Sequence, residues 1–244
     1  MGVILTKGRY RARLGVSAHD VSAAQRLRRV AFRGGAANDA DDFDAVCDHV
    51  LIEDMNTADL VCCFRLMFLP NGADISQTYS AQFYDLSKLS KFGQPMIEMG
   101  RFCIHPDHHD PDIIRVAWGA MATHVDRREV AMLFGCSSFY GNDPIEYADV
   151  FALLRARHLA PERWMPGIKA ADVFAFAANT VQRPNIRDAQ AAMPPLLRTY
   201  LMMGGWVSDH AVIDRDLGTS HVFTGLEIGA VPPRRAQALR GIAT

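Results

Sequence analysis

Two strand-length apolar runs in this chain carry charges where a sheet interior would have none. Arg65 stands inside Val61-Cys62-Cys63-Phe64-Arg65-Leu66, and Glu98 and Arg101 stand inside the run from Met96 to Ile104. A strand that is apolar on both faces belongs within a sheet, and an ion there is costly unless it is paired. The fold must therefore bring partners to these side chains. Arg28, on a helix that precedes them, and Asp41, Asp42, Asp44 and Asp48, crowded into the next segment, are the candidates. Two readings stay open: an ion-pair network that only fixes the helix onto the sheet, or a reacting site.

The elements that frame these charges can be read from punctuation and period. Asp20 is expected to cap a helix from Val21 to about Phe32, stopped by Gly34-Gly35, which puts Arg28 and Phe32 on one helix face. His49 to Glu53 and Leu60 to Phe68 read as a hairpin, with His49 packing at a strand start. Ser80 to Leu89 is expected to be a short helix or helical turn. In the strand from Met96 to Ile104, regular alternation sends Glu98 and Gly100 to one face and Ile97, Met99 and Arg101 to the other. A helix from Asp112 to about Arg128 follows, then a strand from Val130 to Ser138. A helix opens at Asp143-Pro144-Ile145-Glu146 and runs to about Arg157. Another covers Pro194 to Met203, and strands near Trp206 to Ile213 and His221 to Ile228 close the order. Strands and helices interleaved in this way imply an α/β fold, a mixed sheet with helices on both faces.

The 244 residues suit one domain spanning 1–244, since no internal repeat or linker divides them. A net charge of −1 gives no general attraction to nucleic acid. The arginines nevertheless cluster, at Arg9, Arg11 and Arg13, at Arg26, Arg28, Arg29 and Arg33, and at Arg234, Arg235 and Arg240. Such clusters form either a solvated face or a contact for an acidic protein or anionic lipid. Five cysteines without a C-x-x-C pair argue against a disulfide framework and a zinc knuckle. His105, His108 and His109 have no familiar ligand spacing, so no metal is expected. No signal-like or membrane-spanning run is visible. A cytoplasmic protein is expected, in contact at most with the inner face of the membrane.

Taken together, Arg28-x-x-x-Phe32, Asp41-Asp42-Phe43-Asp44 with Cys47-Asp48-His49, Arg65-Leu66, Tyr79-Ser80-x-x-Phe83 and Glu98-x-x-Arg101 form an ordered pattern. It resembles the acyl-carrier-protein-dependent branch of the GNAT superfamily, which includes ornithine Nα-acyltransferases and acyl-homoserine-lactone synthases. The resemblance covers about Arg26 to Phe223. Phe134-Gly135-Cys136-Ser137-Ser138-Phe139 and Pro194-Pro195-Leu196-Leu197-Arg198-x-Tyr200-Leu201-x-x-Gly204 look like features of the ornithine enzymes. Homoserine-lactone synthases carry a tryptophan shortly after the position of Phe32, and here the first tryptophan is Trp118.

The resemblance implies a GNAT-like sheet in which the strand at 96–104 parts from the next to admit a pantetheine thioester. It implies transfer of a 3-hydroxyacyl group from acyl carrier protein to the α-amine of L-ornithine, giving lyso-ornithine lipid, with no permanently bound cofactor. The expected catalytic group is Glu98 as general base, Arg101 holding its carboxylate, and the backbone N–H groups of 102–104, centred on Cys103, as oxyanion donors. Arg28 or Arg65 would hold the ornithine carboxylate and the Asp44/Asp48 group its second ammonium. Phe32, Phe83 and Ser137 complete the expected substrate contacts. The loop His105-Pro106-Asp107-His108-His109-Asp110-Pro111 has no glycine with which to grip a pyrophosphate, which favours a carrier protein over coenzyme A. Arg115, Arg127 and Arg128 would then dock that acidic partner. An acyl-homoserine-lactone synthase and an acetyl-CoA-dependent N-acetyltransferase are the competing readings.

Overall fold

The computed structural model describes residues 2–35, 37–179 and 183–242. Eleven strands are present among them: β1 (Val3–Lys7), β2 (Tyr10–Leu14), β3 (Asp48–Asp54), β4 (Leu60–Leu69), β5 (Tyr84–Asp85), β6 (Met96–Ile104), β7 (Met132–Tyr140), β8 (Gly167–Ile168), β9 (Val173–Phe174), β10 (Trp206–Asp214) and β11 (Thr219–Glu227). The α-helices are α1 (Ala18–Arg33), α2 (Pro111–Arg127), α3 (Ala148–Arg157), α4 (Phe176–Asn179), α5 (Ile186–Ala192), α6 (Pro195–Met202) and α7 (Pro233–Arg240). The fold is mixed α/β. Its residues group into two compact units, one drawn from 1–68, 97–130 and 232–244, the other from 69–96 and 131–231.

In the first unit the strand order is β1-β2-β3-β4-β6. The β1–β2 hairpin is an element the sequence reading passed over. Its two-residue turn, between paired Lys7 and Tyr10, opens on Gly8 at φ 57°, which a glycine accepts without cost. Helix α1 begins three residues before the expected start. Its N-cap is Ser17, while Asp20 is the third helical residue and returns the bond as the other half of a capping box. Gly34, at φ 55°, ends the helix. One face of α1 buries Ala24 and Leu27 against Leu51, Cys63 and Cys103, with Phe32 half-buried at the edge of the same cluster.

In the second unit the order is β7-β11-β10-β9, with β5 and β8 paired separately. The helix expected from Ser80 to Leu89 is instead a short 3₁₀ turn, the strand β5 and a second 3₁₀ turn at Leu89–Lys91. Tyr84 and Asp85 pair with Ile168 and Gly167, so their backbone groups are spent across the chain rather than along a helix. The Asp143 start signal holds, but it opens a 3₁₀ turn (Pro144–Tyr147) before α3. Between β10 and β11 the register shifts from Val207↔Thr224 to Ala211↔Val222, leaving three residues of β10 opposite Phe223. Ser208 repairs the gap: its hydroxyl accepts the Phe223 N–H at 3.1 Å and donates to the His210 carbonyl at 2.7 Å.

No helix among the described residues is long and apolar enough to cross a membrane.

Candidate active site

Strand β6 does not alternate regularly. Gly100 faces the Arg65 side chain on β4, whose neighbour two residues earlier, Cys63, lies 3.6 Å (Sγ–Sγ) from Cys103. Gly100 and Cys103 therefore share the α1 face, although three residues apart, while Phe102 stacks on Phe64 on the other. The phase slips at Arg101, which sits at φ 53°. That left-handed conformation costs a non-glycine residue of order 1 kcal/mol, and it overturns the expected orientation. Arg101 does not face away from Glu98 and Gly100 but turns into the same charged group as Arg65.

That group is a buried lattice of ions. Arg28, almost fully enclosed, donates to Asp39 Oδ2 at 2.7 Å, to Asp44 Oδ1 at 2.6 Å and Oδ2 at 2.8 Å, and to the Asp39 carbonyl. Arg65 donates to Asp41 at 2.5 and 2.8 Å and to Asp44 at 2.9 Å. Arg101 lies 3.2 Å from Asp39 and 3.3 Å from Asp41, and Arg33 3.6 Å from Asp39. The 3₁₀ turn Asp42–Ala45 delivers the acids: Asp41 caps it by accepting the Phe43 N–H, and Asp44 closes a second capping box. His49 is buried and its Nε2–H donates to the Asp44 carbonyl at 3.0 Å, the packing role expected of it.

Electrostatics follow from this arrangement. Burial pushes the Asp44 carboxyl up, but Arg28, Gln25 and Arg65 outweigh it and hold it well below the usual carboxylate range. Burial likewise opposes the charge on Arg28, and Asp44 and Asp39 more than restore it. Glu98 is buried on β6 beside this lattice. Burial pushes the nearby Cys47 thiol up to about 12, with Arg65 opposing and Glu98, Asp41 and Asp44 adding to the shift. Its contact with Cys63, and then burial, push the Cys103 thiol upward too, so its sulfur is a packed thiol rather than a nucleophilic thiolate.

Other expected residues lie elsewhere. Asp48 does not join Asp44. As the residue before His49 on β3 it points to the opposite face, half-exposed, 3.5 Å from Arg128 and 4.0 Å from His124. Arg128 also lies over the Phe68 ring, 4.9 Å from its centre. Arg115 and Arg127 are exposed on α2, Arg115 paired with Asp112 at 2.9 Å. In the second unit, Phe83 is half-buried, edge-on to His221, and Ser137 Oγ accepts from Thr224 at 2.9 Å. The acid that the sequence reading missed is Asp39. Its signal was its place between the α1 glycine stop and the aspartate run, two residues ahead of Asp41.

The N-terminus of α2, where an anion could bind, already holds one. Asp110 accepts the Asp112 N–H at 2.9 Å, and the Tyr10 hydroxyl donates to it at 2.9 Å with Arg9 at 3.3 Å. That bond to the Asp112 backbone, then Tyr10 and Arg9, hold the Asp110 carboxyl below the usual range. Pro111, the first helical residue, has no N–H to offer. Among the described residues no group of three or more His, Cys, Asp or Glu side chains is placed to hold a metal ion.

Residues 28–119, which contain the whole lattice, match the acetyltransferase (GNAT) domain family. Over nearly the full length the chain is 32% identical to an L-ornithine Nα-acyltransferase from Rhodobacter capsulatus, covering 93% of each. The chain belongs to the L-ornithine Nα-acyltransferase family. A relative of the same name from Brucella abortus is 31% identical over 93% of this chain and 87% of its own. Among solved structures, the N-acyl amino acid synthase FeeM from uncultured soil microbes superimposes with a TM-score of 0.53 over 91% of this chain and 94% of its own, at 10% identity. That likeness bears on fold. As a member of the L-ornithine Nα-acyltransferase family, the protein is an acyltransferase with a GNAT fold.

Proposed function

We propose that the protein transfers a 3-hydroxyacyl group from the phosphopantetheine thioester of acyl carrier protein to the α-amine of L-ornithine, forming lyso-ornithine lipid. The observation that carries this reading is the alignment with the Rhodobacter capsulatus enzyme over 93% of both chains. The donor assignment draws on α2. With Asp110 already seated at its N-terminus and Pro111 lacking an N–H, the site is poorly suited to a pyrophosphate, which needs those free donors. A carrier-protein arm brings a single phosphate and an acidic surface, which exposed Arg115, Arg127 and Arg128 would meet.

In this mechanism Glu98 takes a proton from the α-ammonium, directly or through one water, and the freed amine attacks the thioester carbon. Backbone N–H groups of 102–104, re-aimed by the slip at Arg101, stabilise the oxyanion. The C–N bond forms, the C–S bond breaks, and the departing pantetheine thiolate takes up a proton. Arg28, Arg65 and Arg101 are engaged with Asp39, Asp41 and Asp44. Their part is to fix the electrostatic surroundings of Glu98, and any grip on the ornithine carboxylate shares these cations with the aspartates. Contact with the inner membrane surface would use Arg234 and Arg235, exposed on α7, because Arg9, Arg11 and Arg13 are paired with Asp54, Glu53 and Asp20.

The test is incubation with 3-hydroxytetradecanoyl carrier protein and a panel of amino acids, read by mass spectrometry. Ornithine acylated on its α-nitrogen is the expected product. An acyl lactone, an acetylated amine from acetyl-CoA, or no acylated ornithine would overturn the reading.

A further inference from the structure

Strand β6 opens to solvent where its backbone is strained. It is buried from Ile97 to Met99 and again at Cys103, while Gly100 and Arg101, turned to the α1 face, are half-exposed. Arg101 stands in that opening at φ 53°. Backbone strain of this kind persists only where the surroundings enforce it, and it gathers at ligand clamps and active sites. Gly100 leaves the opening unroofed. Beyond its chain neighbours, a methyl built there would meet nothing nearer than Arg65 Nε at 3.7 Å, and its φ lies outside the left-handed region. Packing therefore does not call for a glycine at this position, and room is left beside the lattice.

The arginines of the lattice are not equally committed. The Arg28 side chain is 1% exposed, and its Nε and both terminal nitrogens donate to Asp39 and Asp44. That of Arg65 is 4% exposed, bonded to Asp41 and Asp44 at 2.5–2.9 Å, with its guanidinium over the Phe43 ring. Arg101 is 12% exposed and meets Asp39 and Asp41 at 3.2 and 3.3 Å. Its ion pairs are the longest of the three, so an arriving anion disturbs least there. Its outward partner is the accessible acid of the lattice: Asp41 is 26% exposed, against 2% for Asp39 and 7% for Asp44. Arg33, 3.6 Å from Asp39, belongs to the last turn of α1 and not to the strand that carries Glu98.

An amino acid carries its carboxylate on the same carbon as the attacking amine. Whatever grips the carboxylate must therefore stand within a side chain's length of the base that serves the amine. Arg101 meets this condition by its place in the chain, three residues after Glu98 and directly before the N–H groups of 102–104. Its forked guanidinium can take a carboxylate through two parallel hydrogen bonds. We propose that Arg101 grips the α-carboxylate of the acceptor at the edge it shares with Asp41, and so restricts the enzyme to amines with a carboxylate beside them. This rests on the acyl-transfer reading given above. Asp41 is then the resident anion with which the substrate competes, holding the guanidinium in place while the site is empty.

The experiment compares kcat/KM for L-ornithine and for L-ornithinamide, which keeps the shape and loses the negative charge. The donor is 3-hydroxytetradecanoyl carrier protein, and the enzymes are the wild type, Arg101→Lys and Asp41→Asn. The ratio of the two acceptors within each enzyme is the readout, because purely structural damage lowers both together. The wild type should favour ornithine by about 10- to 100-fold, the range of a hydrogen bond to a charged group. Arg101→Lys, which exchanges the fork for a point charge, should cut that ratio by about 5- to 10-fold. Asp41→Asn keeps an oxygen for the Phe43 N–H and removes the competing charge, so it should raise the ratio by about 3- to 10-fold. A wild-type ratio near one, or a ratio unchanged in Arg101→Lys, overturns the assignment while leaving the transfer reaction standing. Should Arg101→Lys fail to fold, a ratio that does not rise in Asp41→Asn overturns it equally. Failure of the wild type to acylate ornithine at all sinks the transfer reading, and this assignment with it.

Discussion

The first unit encloses Arg28 and Arg65 with Asp39 and Asp44, each held by ion pairs of 2.6–2.9 Å. The second encloses His210 and His221, joined to a tyrosine, a carbonyl and one half-exposed aspartate, with a bare nitrogen on each ring. Both sets are as deeply buried as the apolar core around them, yet they respond to burial differently. Fixed charges must be matched inside the fold, whereas His221 can give up its charge and stay enclosed as a neutral ring. A matched lattice can hold a reacting group rigidly, and a neutral buried ring makes the second unit the one whose stability responds first to acid.

The sharpest way to break this contrast is to disarm the first unit without loosening it. Glu98→Gln keeps the shape of the β6 side chain and removes its basicity. We expect kcat for ornithine acylation to fall about 10²- to 10⁴-fold while the melting temperature stays near that of the wild type. Undiminished turnover in this variant would remove Glu98 from the mechanism and leave the lattice a purely structural device.

Stability should register the lattice next. Arg28→Met leaves Asp39 and Asp44 buried without their main cation, at a cost of about 3–5 kcal/mol in denaturant unfolding. A loss under 1 kcal/mol would mean that Arg33, Arg65 and Arg101 neutralise both acids unaided, and that the lattice is redundant.

Acid should separate the two units by pH. His221 carries a folded pKa of about 4 against about 6.5 unfolded. Between those values the unfolded chain binds the extra proton, so stability present above pH 6.5 is lost as pH falls toward 4, by about 3 kcal/mol. Buried His124 in the first unit and half-buried His158 in the second, also lowered chiefly by burial, act in the same direction. Asp41 and Asp44 are depressed, so their contribution persists above the unfolded carboxylate range and goes only at lower pH. Chemical unfolding from pH 7 to 3 should show the histidine phase first, and His221→Phe should flatten it. A phase of the same size in that variant would place its origin in other histidines.

Much of this was legible beforehand. The bounds of β6 match the reading to the residue, because nine apolar-rich residues between breakers leave few alternatives. The pairing of Arg28, Arg65 and Arg101 with the aspartate run followed from the cost of a lone buried ion. Direction was not legible. Arg101 was assigned to the wrong face because alternation assumes regular backbone, and nothing local marks the slip. Asp44 and Asp48 were grouped by sequence proximity, yet a turn and the start of β3 send them to opposite faces. Asp39 was missed because a lone acid after a helix stop looks like a solvated loop residue. Tyr84 was placed in a helical turn, although its hydroxyl serves a carbonyl 137 positions away. Such a bond leaves no trace in any local window.

The slip at Arg101 limits what mutation can do at that position. Glycine would ease the backbone and abandon two aspartates, lysine would keep one charge but not the reach of a forked guanidinium, asparagine would ease the backbone in part and lose the charge, and most other residues would lose the charge with no relief of the backbone. Drift at this codon therefore has almost no neutral route, and a saturation library scored for folding should return arginine nearly alone.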